Sequence, residues 1–189
     1  MKPDGEDLLK GARLAFQGLL ARYQELDARI MAEVPAWHPD ERFGAQLAKI
    51  CVDIALLMIG ADREYNQAEG QAFNNLFNLQ ESDSDISSLA DWLQQQRPGA
   101  SELINRLDRF QLAISVAERH TQLELLEPAL EFFRTLGQVI AVIDEVYHPN
   151  ENDFHERLNE WLQLSPPPPG LALRLKLRDG SLQPWPVSP

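Results

Sequence analysis

Apolar residues recur at Leu8, Ala12, Ala15, Leu19, Tyr23, Leu26 and Ile30, in steps of three and four. That spacing puts them on one face of a helix over residues 6–33, and it reads as a face docked on a bundle rather than a coiled-coil seam. Val34 to Pro39 holds two prolines and breaks the pattern. Asp40 then stands where an N-cap would open a second helix running to about Gly60. The centre of that segment is apolar on most faces, which predicts a central buried helix. Further helical patterns cover 67–79 and 84–96. Arg97-Pro98-Gly99 reads as a stop and Ser101 as the cap of a fifth helix. Pro128 suits the first turn of a sixth helix to about Ile143, and Pro149 that of a seventh to about Leu164.

After Pro166 to Pro169, a stiff extended spacer, the period changes from three-four to two. Leu171, Leu173, Leu175 and Leu177 alternate with Ala172, Arg174, Lys176 and Arg178. Alternation of this kind predicts a strand with one apolar and one basic face. Asp179-Gly180 signals a hairpin, and Pro184 and Pro186 confine any returning strand to an edge. The expected fold is therefore all-α: a single bundle of about seven helices over residues 1–164, a linker over 165–170, and a hairpin-like tail over 171–189.

Composition narrows the partners. Hydrophobic residues make up 44% and charged residues 24% of the 189, the balance of one globular domain. The net charge is −12; the tail carries three bases against one acid, so the rest carries −14. Such a surface disfavours nucleic acid and anionic lipid, which need Lys and Arg. It suits a divalent cation, a protein partner with a basic surface (as in a metal-free inhibitor or immunity-type partner of a basic protein), or plain solubility. The basic tail is expected to dock on the body or to join two copies as a homodimer. The single cysteine, Cys51, sits among apolar neighbours and reads as a buried structural thiol. No signal peptide and no membrane-spanning segment is legible, so the cytoplasm is the expected location.

One element occurs twice. Asp62, Tyr65 and Glu69 have the spacing of Asp144, Tyr147 and Glu151. Each copy follows an apolar helix and precedes a helix with leucine at the matching position, Leu76 and Leu158. Asn66 with Glu69 has the spacing of a capping box, and Pro149 makes Glu151 the same third helical residue. Two readings follow. The turns stop one helix and start the next; or Asp62, Glu64 and Glu69, with Asp144 and Glu151, offer oxygens to Ca2+ or Mg2+. The spacing is not that of an EF-hand, since the twelfth position is Phe73 or His155. Asp144, His148, Glu151 and His155 would share a face on one continuous helix and could hold a transition metal, but Pro149 opposes that continuity. No HExxH, CxxC, phosphate loop or GxSxG sequence is present, so no enzyme is expected.

Ala61-Asp62 with Tyr65, Asn66 and Glu69, and more loosely Asp144 with Tyr147 and Glu151, resembles the turn of the TerB-like family: tellurite-resistance TerB proteins and the N-terminal region of some membrane-anchored DnaJ-like proteins. The resemblance spans about residues 40–164. It departs at Arg63 and Glu145, where the family has glycine, and at Ile143, where it has alanine. It implies a bundle of two similar halves and a non-enzymatic, acidic module linked to stress and tellurite resistance. It further implies a divalent metal and partners at the inner membrane face.

Overall fold

A computed structural model describes residues 5–61, 64–95, 97–142, 149–163 and 170–186. Within them lie seven α-helices: α1 (Gly5–Glu33), α2 (Phe43–Ile59), α3 (Gln67–Phe77), α4 (Asp83–Gln95), α5 (Arg97–Thr121), α6 (Leu126–Val142) and α7 (Pro149–Trp161). A hairpin of β1 (Leu173–Lys176) and β2 (Leu182–Trp185) follows. The all-α bundle with a C-terminal hairpin is the fold that the change of period predicts. The proline spacer lies outside the described residues. Among the described residues, no helix is long and apolar enough to cross a membrane.

Helix α2 is the centre, with 11 of its 17 residues buried. The stripe of α1 from Ala12 to Ile30 packs on it, as do α4, α5 and α6. Its start corrects the sequence reading. Asp40 does not cap α2; Pro39–Glu41 forms a short 3-10 turn, and α2 opens behind Arg42, which offers no acceptor. The cap comes from α1 instead. The buried carboxylate of Asp27 accepts the Phe43 N–H at 2.8 Å through Oδ1 and the Gly44 N–H at 2.9 Å through Oδ2. Gly44 permits this approach, because a Cβ there would lie 3.0 Å from Oδ2. Burial pushes the Asp27 pKa up, and the two N–H donors pull it partly back.

A second borrowed cap opens α6. Glu118 of α5 accepts the N–H groups of Leu125 and Leu126, the latter at 2.6 Å. Pro128 therefore sits at the third residue of α6 rather than opening it. Arg97-Pro98-Gly99 begins α5 instead of ending α4, and Ser101 lies within that helix. Proline is tolerated there because the first-turn N–H groups have no intrahelical acceptor.

The hairpin docks on its own chain. Leu173 pairs with Trp185 and Lys176 with Leu182 in antiparallel register. On its other side β1 continues the sheet onto the proline-broken segment after α1. The His38 N–H donates to the Lys176 carbonyl, and the Arg178 N–H to the Ala36 carbonyl, both at 2.9 Å. Pro184 stands in the outer strand, where its missing N–H costs no ladder bond to a further neighbour. Leu175 and Trp185 are buried, and the Trp185 indole donates to Glu33 at 2.8 Å. Apolar burial and these hydrogen bonds, rather than ion pairs, hold the hairpin: Arg174, Lys176 and Arg178 make no ion pair among the described residues.

Replacing Asp27 by Ala is expected to lower the unfolding free energy by about 1–2 kcal/mol, the value of a helix cap. A raised pKa means that the native state holds the proton more tightly, so this group's stabilisation is full below pH 3.8 and falls as pH rises through the folded pKa. The cost of the substitution should accordingly be larger near pH 4 than at pH 7. Urea unfolding at both pH values measures it, and a pH-independent cost of zero would exclude the cap.

Candidate functional site

The sequence singles out the repeated turns. At the first copy Asn66 Oδ1 accepts the Ala68 N–H at 2.9 Å, while Glu69 Oε2 accepts the Asn66 N–H at 3.0 Å. The capping box read from the spacing is thus present, and Glu69 is buried at the third residue of α3. Tyr65 packs against the core and donates its hydroxyl to Asp83 at 2.9 Å, tying the turn to the first residue of α4. Burial and the neighbouring Asp83 carboxylate push its pKa up to about 12. Gly70 makes room: a Cβ there would fall 1.9 Å from the Tyr65 hydroxyl.

Glu64 is exposed beside this turn. Glu151 is buried at the third residue of α7, the position that Glu69 takes in α3. Asp62, Asp144, Tyr147 and His148 lie outside the described residues. No group of three or more His, Cys, Asp or Glu suited to a metal occurs among the described residues. His155 has protein partners at both ring nitrogens, the Arg134 carbonyl at 3.2 Å and the Asn159 side chain at 3.4 Å. That occupation leaves it a packing role on α6.

Two surfaces stand out that the sequence reading did not single out. The first is the outer face of α4. Asp85, Ser88, Leu89 and Trp92 follow the helical spacing and line a shallow depression with Glu81. Leu89 is 45% and Trp92 53% exposed, although Ile86 and Ala90 on the opposite face are buried. Residues 64–95 contain six acids and no Lys or Arg. A tryptophan in a stretch whose only charges are acidic was visible in the sequence; its exposure was not.

The second is a groove of about 600 Å³ between α2, α5 and the hairpin. Trp37, Phe43, Phe110 and Leu175 close its floor. Lys49, Arg106, Arg109, Arg174 and Lys176 line its walls, against Glu41 and Glu102. Arg106 is held by an ion pair with Asp53 of α2 and a longer one with Glu102 at 3.4 Å. Burial lowers its pKa from the ordinary value. The spacing of Gln46, Lys49 and Asp53 places them on one stripe of the otherwise apolar α2. Three distant segments supply the cations, so only the hairpin's alternating row was visible beforehand. Cys51 is fully buried, and that burial pushes its thiol pKa up, as expected of a structural thiol.

The chain matches no protein-family model, no curated protein and no solved structure.

Gly70→Ala is expected to cost about 1–3 kcal/mol, because the added carbon displaces the Tyr65 hydroxyl from Asp83. Chemical denaturation measures this, and Tyr65→Phe in the Gly70→Ala background should recover part of the loss, since it removes the oxygen that the added carbon meets.

Proposed function

We propose that the chain is a non-enzymatic helical binding module that engages a protein partner with a basic surface. The exposed pair Leu89 and Trp92 on α4, set in a stretch of six acids without a base, supports this reading most directly. Tryptophan in such a position is a frequent energetic anchor of protein interfaces, and the carboxylates around it favour Lys and Arg on the facing side. The partner segment that fits is a basic amphipathic helix, its apolar side laid on Leu89 and Trp92. The residues that would carry the interaction are Glu81, Asp85, Leu89 and Trp92.

Calorimetric titration with a Lys- and Leu-rich amphipathic peptide tests it. Trp92→Ala should weaken binding by at least tenfold with an unchanged melting temperature, because the side chain is half exposed. Equal affinity of the variant, or of a scrambled peptide for the native chain, overturns the reading.

A second reading keeps the TerB-like resemblance and places Ca2+ or Mg2+ at the repeated turns. It is favoured by Glu69 and Glu151, both buried at the third residue of the helix that follows the turn. A cation bound to the native state raises stability by RT ln(1 + [L]/Kd), about 2.7 kcal/mol at a hundredfold excess over Kd. The expected outcome is a melting temperature that rises with millimolar Ca2+. A flat melting temperature together with no calorimetric heat sinks the cation and leaves the α4 reading intact.

A further inference from the structure

We infer that the groove between α2, α5 and the hairpin is a second binding site, for a small organic polyanion carrying two or more phosphate or carboxylate groups. Four of its cations, Lys49, Arg109, Arg174 and Lys176, have no carboxylate within ion-pairing distance among the described residues, in a chain of net charge −12. With 29 acids against 17 bases, most cations would be expected to find a partner. These converge instead from three separate elements on one concavity.

The floor also offers a reporter that is independent of charge. Trp37, 1% exposed and part of that floor, has an indole N–H with no acceptor among the described residues. The N–H is sealed beneath the floor, so it senses a bound ligand through its surroundings rather than by bonding to it. Arg106, fixed by Asp53, adds a cation whose position is already set, so little side-chain entropy is lost when an anion arrives.

Size and field together choose a compact ligand. A volume of about 600 Å³ is that of a small-molecule site. The groove lining carries five bases and two acids, so the rest of the chain totals −15, and screening extends only about 8 Å at physiological salt. A long polyanion, nucleic acid or acidic protein, would run out of the cationic walls into repulsion; a nucleotide or a polycarboxylate would not. This inference does not depend on the α4 reading, because the two surfaces share no residue.

Titration of the intact chain with magnesium-free ATP and, separately, with citrate tests it by calorimetry. Saturable heat with ATP alone identifies phosphates as the ligand chemistry, and with citrate alone identifies carboxylates. Binding should weaken at least tenfold in the Lys49→Ala/Arg109→Ala variant and fall with added salt, while the melting temperature without ligand stays unchanged. The Trp37 indole N–H resonance, assigned with Trp37→Phe, should shift on saturation. Absence of saturable heat at millimolar ATP and citrate overturns the inference. So does affinity that survives in the double variant, or a glutamate-rich peptide that binds the groove when neither small anion does.

Discussion

Helix α2 dictates the architecture through one constraint: a segment apolar on nearly every side must be wrapped by other elements before it is stable in water. Its leucines, isoleucines and methionine each give about 1.5–3 kcal/mol on full burial, more than its intrinsic helix propensity could supply. Helices α1, α4, α5 and α6 supply the wrapping. The only charges in α2 are Lys49 and Asp53, one turn apart. Such a stripe cannot be covered by an apolar neighbour without the cost of burying charge. Asp53 is met by Arg106, and Lys49 is left on a groove that the hairpin partly walls. The concavity is therefore a consequence of how the central helix is solvated.

The hairpin solves a different problem with the same logic. Two short strands are marginal alone, so they need a surface. Leu175 and Trp185 enter the core, while the backbone of β1 pairs with residues 36–38. The alternation that buries the leucines necessarily turns Arg174 and Lys176 outward. Positive charge thus accumulates at one place, and residues 64–95 hold acids alone at another. This separation gives one small acidic chain two surfaces of opposite sign.

The repeated turn shows how a structural device and a candidate site can coincide. Glu69 is committed to the Asn66 amide, and Tyr65 to Asp83 over a glycine that must stay small. These contacts account for why Asn, Glu and Tyr occur at that spacing. Glu151 takes the matching third position of α7 and is likewise buried. Any cation at these turns would share Glu69 with the cap, so metal binding and helix stability would be linked.

The hydrophobic pattern by itself determined the number of helices, the central place of α2, the buried stripe of α1, the capping box at Asn66 and the hairpin with its two unlike faces. These are local properties: periodicity and cap spacing act over a few residues, and the sequence displays them directly. It misjudged the starts of α2, α5 and α6. For α2 and α6 the caps come from Asp27 and Glu118, which stand outside the helices they cap and reach them only after the bundle has formed. The tertiary structure alone decided the rest: that the hairpin lies on its own chain, that Trp37 keeps an unpaired indole beneath a groove, and that five cations from 49 to 176 line that groove. Packing creates such sites by joining residues far apart in the chain, and no short window of sequence contains them.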